Sequence, residues 1–167
     1  MAQYPQIFAG DLLDADLLMS MQPISARKTV STSRTNSTLL ADPELVAQVA
    51  ANAEYALIAY IRTTGGATGD LKAQFTGPAG SSGSWGARTM STGATLATDS
   101  SDAIRTPMGA AKSIGAISTT AGQVIQVTGR LITVSAGTFS FDWAQDVTNA
   151  TATVIEADSF FLLTRLA

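Results

Sequence analysis

The chain has 167 residues, of which 46% are hydrophobic and only 14% charged, against about 25% charged in an ordinary globular domain. It contains no cysteine and no histidine, which excludes disulfides, thiol nucleophiles, thiolate or imidazole zinc sites and a Ser-His-Asp triad. The net charge of -3 speaks against a broad nucleic-acid footprint, and the longest apolar run, near Tyr55–Ile61, falls well short of the roughly 20 residues of a membrane-spanning helix.

The N-terminal stretch, MAQYPQIFAGDLLDADLL, lacks a basic region and does not read as a signal peptide. Within it Phe8, Leu12, Ala15 and Met19 recur at helical spacing, and Leu13 and Leu17 widen the stripe. A helix is predicted near Asp11–Met21. Alone in water so short a helix is marginal, so it must dock on its own domain or on other protein. Ser25–Thr38 is polar and reads as an extended linker or edge strand. Residues 1–36 therefore form a predicted helix and arm, and residues 37–167 a β-domain.

From residue 39 the pattern turns to strands. Asp42-Pro43 admits two readings: a turn leading into a strand, or the N-cap and first position of a helix running to Ala53. The alternation of Leu45, Ala47 and Val49 favours the strand. A turn at 50–53 then leads into the strongest strand, Tyr55–Arg62, and 63–70 is a loop. Leu71, Ala73 and Phe75 alternate with polar residues, and 76–80 is a turn. Residues 83–98 read as weak strands and loops around Trp85, and 98–112 as a surface excursion. Gln123–Val134 is a long strand pattern broken by Gly129. Phe139, Phe141 and Trp143 alternate, 152–155 is a short strand, and Phe160–Leu166 closes the chain. Strands at intervals of roughly 8–12 residues predict an all-β antiparallel sandwich. Pairing the strands near 55 and 160 suits a jelly roll of two four-stranded sheets.

The order of several blocks carries a resemblance. These are FAGDLLDADLLMSMQP (8–23), LLADPEL (39–45), ANAEY (51–55), GDLKAQFTGPAG (69–80), WAQDVTNATAT (143–153) and SFFLLTRLA (159–167). Together they resemble small virion structural proteins of actinobacterial tailed phages, of the head-decorating or minor tail type. Residues 83–120 match poorly, and Asp11–Asp16 stands where relatives often carry a Thr-Ala-Ala-type helix start. The resemblance implies a trimeric jelly roll of the tumour-necrosis-factor-like kind, anchored to the particle by its N-terminal segment. It brings no catalytic residues.

Expected sites follow. Phe8, Leu12, Leu13, Leu17 and Met19, with Leu18 and Met21, make an apolar anchor on a short helix. Tyr55, Leu57, Ile58 and Tyr60, and Phe160, Phe161, Leu162 and Leu163, are apolar on both faces of a strand. One face fills the sandwich, and a second copy of the chain is the simplest cover for the other. Trp85, in a Gly/Ser setting, is the candidate contact for a host-surface glycan. Oxygen ligands for a hard cation exist at Asp99, Asp102, Asp142, Asp146, Glu156 and Asp158, but without the spacing of a calcium loop. The close pairs Asp142/Asp146 and Glu156/Asp158 flank turns, with no cleft implied for hydrolysis. The sequence thus predicts a non-enzymatic, cofactor-free, homotrimeric capsid-decoration protein. Its partners would be itself and the major capsid or tail proteins, without nucleic acid or membrane. It would assemble in the host cytoplasm and reside on the capsid surface or tail. The alternative is a minor tail protein that recognises a glycan.

Overall fold

The computed structural model describes residues 7–12, 14–92, 101–102, 104–116 and 118–167, and the side chains of 16, 19, 20, 101 and 102 lie outside that description. One short helix, α1 (Ala15–Ser20), precedes the strands. Asp14 caps it, its Oδ1 accepting a 2.8 Å bond from the Leu17 amide. The helix is shorter than the predicted Asp11–Met21. Gly10 has a φ of 99°, and Asp11 folds back to accept from the Phe8 amide at 2.6 Å, so the first residues form a turn instead.

Among the described residues thirteen strands follow. They are β1 (Ile24–Arg27), β2 (Thr32–Arg34), β3 (Leu40–Val49), β4 (Ala53–Thr64), β5 (Leu71–Thr76), β6 (Ser82–Met90) and β7 (Ser101–Asp102). Then come β8 (Thr106–Pro107), β9 (Lys112–Ile114), β10 (Gln123–Thr133), β11 (Gly137–Ala144), β12 (Thr153–Ile155) and β13 (Phe160–Arg165). They form two antiparallel sheets. The larger runs β1-β13-β4-β10-β6-β7, with β2, β8 and β12 attached beside that path, and the smaller runs β3-β11-β5-β9. Among β1, β3, β4, β5, β9, β10, β11 and β13 in chain order, one sheet reads first–eighth–third–sixth and the other second–seventh–fourth–fifth. This is the strand order of a jelly roll. The expected joining of early and late strands holds, with Tyr60 opposite Phe160 and Leu57 opposite Leu163. Strands β1 and β2 fall within the first 36 residues yet pair with β13 and β12, so part of the expected arm belongs to the larger sheet.

Alternation along each strand sends one set of side chains into the space between the sheets. Phe75 sits at the centre, its ring 5.2 Å from those of Trp85 and Phe141 and 5.7 Å from Phe139. Phe139 in turn meets Phe161 edge-on at 5.3 Å. Full burial of each such side chain contributes about 1.5–3 kcal/mol.

Two sequence expectations fail here for identifiable reasons. Gly129 does not break its strand, because β10 runs unbroken from Gln123 to Thr133. A Cβ at 129 would lie 2.9 Å from the Ser84 carbonyl oxygen and 3.0 Å from the Trp85 Cβ. The glycine is there to let β6 approach. Residues 82–90 are likewise one continuous inner strand and not weak strands in loops, with its small residues facing β10 across the ladder.

Pro43 sits inside β3, where it cannot donate to the ladder. The chain accommodates it by a bulge. Ser140 pairs with Val46 and Asp142 with Ala41, so residues 42–45 oppose a single residue of β11. The bulge turns the Asp42 side chain inward, where it is fully buried.

Candidate functional site

The outward face of the larger sheet gathers large apolar side chains that the strands' own alternation leaves outside. On β4 the inward residues are Tyr55, Leu57, Ala59 and Ile61, while Ile58 is 53% exposed and Tyr60 half-buried. On β13 Phe161 and Leu163 point inward, and Phe160 and Leu162 outward. The registers place Leu162 opposite Ile58 and Phe160 opposite Tyr60. The rings of Tyr60 and Phe160 stack at 5.7 Å with an interplanar angle of 17°. Val124, opposite Arg62 on β10, extends the patch.

Of the strand residues expected at an interface, the structure therefore sorts two groups. Tyr55, Leu57 and Phe161 are core residues at 1% exposure or less, and they are corrected to that role. Tyr60, Phe160 and Leu162 share the outer face with Ile58. The strand at 160 is not buried on both sides within one chain, since its second face is only partly covered.

The rim of this patch is charged with both signs. Arg130 donates to Glu54, Arg62 pairs with Glu156 at 3.1 Å, and Arg27 pairs with Asp158. The Arg130 guanidinium holds the Glu54 carboxyl below its ordinary value. Arg27, with a smaller contribution from Arg62, does the same for Asp158.

At the N-terminus Phe8 is 66% and Leu12 87% exposed, Leu18 is half exposed, and Leu17 is partly buried. Leu13 lies outside the described residues, as does the side chain of Met19.

Trp85 corrects the glycan expectation. Its indole is 1% exposed, packed edge-on against Phe75 between the sheets, and offers no stacking face to a sugar. Its Nε1 is buried without a hydrogen-bond partner. The alternation of Trp85 with Ala87 and Thr89, all buried, was the sequence signal for an inner strand.

Of the carboxylates considered as metal ligands, Asp142, Asp146, Glu156 and Asp158 each have their own partner. Asp142 accepts from Ser140 Oγ at 2.6 Å and from Thr76 Oγ1. Asp146 accepts from Ser113 Oγ at 2.6 Å. Glu156 and Asp158 pair with arginines. Asp99 lies outside the described residues, and so does the Asp102 side chain. Among the described residues no three acidic side chains come together, and no helix is long and apolar enough to cross a membrane. A depression of about 330 Å³ lies beside Arg62, Gln123 and Glu156, its cation already paired with its anion.

A second cluster, unforeseen from the sequence, lies at the bulge of β3. Lys28, just past β1, is fully buried. Its Nζ donates to Asp42 Oδ2 at 2.8 Å, to Asp42 Oδ1 at 3.0 Å and to Thr32 Oγ1 at 2.6 Å. Trp143 Nε1 donates to Asp42 Oδ2 at 3.0 Å. Glu44 Oε2 stands 3.7 Å from the same Nζ. Bonds from the Thr29 hydroxyl and from the Val30 and Thr29 amides, with a smaller contribution from Lys28, hold the Glu44 carboxyl down at about 2. Next to this cluster the Arg34 guanidinium lies 4.2 Å from the Trp143 ring centroid. It also donates to the Leu40 and Ala41 carbonyls at 2.8 and 3.0 Å. Burial pushes the Arg34 pKa down, with Asp42 and Asp142 opposing the shift.

No protein-family model matches the chain, and no curated protein matches it. Among solved structures, a chain from the structure of infectious bursal disease virus, Gt strain, is similar at 10% identity and a TM-score of 0.18, over 86% of this chain and 40% of that one. A chain from the Gx strain is similar at 11% identity and a TM-score of 0.17, over 87% and 36%. This protein spans about two fifths of the length of those chains. Likenesses this slight carry neither fold nor function.

Proposed function

We propose that the chain is a non-enzymatic structural component of a phage virion. It acts as a homotrimer that decorates the capsid surface and is held there by its N-terminal segment. The observation that carries this reading is the outward apolar cluster of Ile58, Tyr60, Phe160 and Leu162 on a rigid, hydrogen-bonded sheet. A large contiguous apolar patch on a folded domain marks a protein interface. The rim favours another copy of this chain as the cover. It carries paired arginines and carboxylates, Arg27 with Asp158 and Arg62 with Glu156, and so can meet itself without like-charge conflict.

The mechanism is mechanical. Burying the outer faces of the larger sheets against one another makes a stiff knob. The exposed Phe8 and Leu12 supply apolar anchors for a neighbouring particle protein. The order of the resembling sequence blocks supports the virion setting. The glycan-binding alternative has lost the residue that suggested it, because Trp85 lies in the core.

Electron microscopy of particles assembled with the chain tests the reading. Trimeric knobs on the capsid, absent when residues 1–22 are deleted, are expected. Full occupancy by the truncated chain, or location at a tail fibre tip, would overturn the decoration role.

A further inference from the structure

The Lys28 pocket has a composition that simple packing does not require. A primary amine and a carboxylate are placed together wholly out of water, with a second, partly exposed carboxylate beside them. We propose that Lys28 and Asp42 condense into an intramolecular amide that covalently staples β1 to the bulge of β3.

The geometry meets the needs of that reaction one by one. The nucleophile Nζ lies 2.8 and 3.0 Å from the two Asp42 oxygens, which puts it beside the carboxyl carbon they share. The partners are thus held together before reaction, and attack needs only a swing of the lysine head from the edge of the carboxyl group onto its face. The reaction itself begins with transfer of one proton from Nζ to Asp42 across the 2.8 Å bond, which gives the neutral amine and acid. The indole N–H of Trp143, 3.0 Å from Oδ2, donates to the oxygen on which negative charge develops when the carbon becomes tetrahedral. The Glu44 amide, 3.0 Å from Oδ1, donates to the other.

Atoms and charges balance without any co-reactant. The neutral Nζ attacks Cγ of the Asp42 acid and the C–N bond forms. Glu44, 3.7 Å from Nζ, takes the proton that the nitrogen must shed. It returns that proton to the departing hydroxyl, the C–O bond breaks, and one water leaves. The lysine ammonium and the aspartate carboxylate together become one secondary amide, with no change in oxidation state. The product removes two buried charges, and exclusion of water from the pocket opposes hydrolysis.

The position of the bond gives it a use. Lys28 directly follows β1, which is the edge strand of the larger sheet, and Asp42 belongs to the smaller sheet. Tension applied through the N-terminal segment would pass across the staple into the second sheet. Without the staple it would load only the four-residue pairing of β1 with β13. The proposal does not depend on the virion reading and can fail or succeed separately from it.

Intact-mass measurement of the purified full chain under denaturing conditions tests it. The expected mass is that of the sequence less one water, with a proteolytic digest yielding a branched peptide that joins Lys28 to Asp42. Lys28→Met and Asp42→Ala should each show the full sequence mass. Because either change can impair folding, Glu44→Gln is the sharper variant. It keeps the Lys28–Asp42 pair, should fold, and should retain the full mass. A wild-type mass equal to the sequence after prolonged incubation at neutral pH would overturn the proposal. So would a water loss that persists in Lys28→Met, which would mark a cyclised aspartate elsewhere.

Discussion

Replacing Ile58 with aspartate sets a carboxylate in the middle of the outer apolar patch. In the isolated chain the change should cost little. Ile58 is already 53% exposed, and its cross-strand neighbours on that face are Leu162 and Thr128, neither of which it would repel. A loss of about 1 kcal/mol, the span of strand propensities, is the expected penalty for the single subunit. In the proposed trimer the same change is far more costly. The half of the isoleucine still open to water would contribute about 1 kcal/mol on burial. A carboxylate taken from water there without a partner would cost about 2 kcal/mol or more. The total of about 3 kcal/mol per subunit corresponds to roughly a hundredfold weaker association for each copy. Sedimentation velocity over a concentration series, paired with thermal denaturation, reads both quantities. The variant should sediment as a monomer while its melting remains cooperative and close to that of the dissociated wild type. A variant that sediments with the wild-type mass at all concentrations would refute the assignment of this face as the interface.

Phe75→Ala empties the centre of the aromatic cluster and should lower the unfolding free energy by about 3–5 kcal/mol in denaturant titrations. Gly83→Ala should destabilise by at least about 2 kcal/mol or prevent folding, since φ there is 119° and a Cβ would meet the Arg130 carbonyl oxygen at 2.0 Å. Glu44, Glu54 and Asp158 all have carboxyls held below their ordinary values. A depressed folded-state pKa gives stability that is present above the unfolded value and is lost as pH falls through the folded one. For Glu44 that window runs from about 4.5 down to about 2. Chemical denaturation at stepped pH should show stability falling across it, with a shallower decline in Glu44→Gln.

Much of the architecture was legible in the sequence because alternation is a local property. Leu71, Ala73 and Phe75, or Phe139, Phe141 and Trp143, declare their inward face without reference to any partner. The two-sided strands were legible too, but not which residue went to which side. Tyr55 and Tyr60 look equivalent in sequence. They differ by an odd number of positions, so one enters the core and its hydroxyl bonds the Ala50 amide at 3.0 Å, while the other lies outside. Trp85 was misplaced because its neighbours Ser84 and Gly86 suggest a loop. The segment is instead an inner strand, closely approached by Gly129 on the facing strand. The lysine pocket could not be read at all. Lys28, Asp42 and Trp143 are brought together by pairing across both sheets and by the bulge that Pro43 forces, which are properties of the fold and not of any window of sequence.

Sedimentation equilibrium of the untagged wild-type chain at micromolar concentration measures the central claim, that the outer face of the larger sheet is covered by sister subunits. The account predicts a species of three times 17.2 kDa, with hydrogen exchange slowed at Ile58, Tyr60, Phe160 and Leu162 relative to the Ile58→Asp variant. A monomer across that concentration range, with those strands exchanging at equal rates in both proteins, would contradict it.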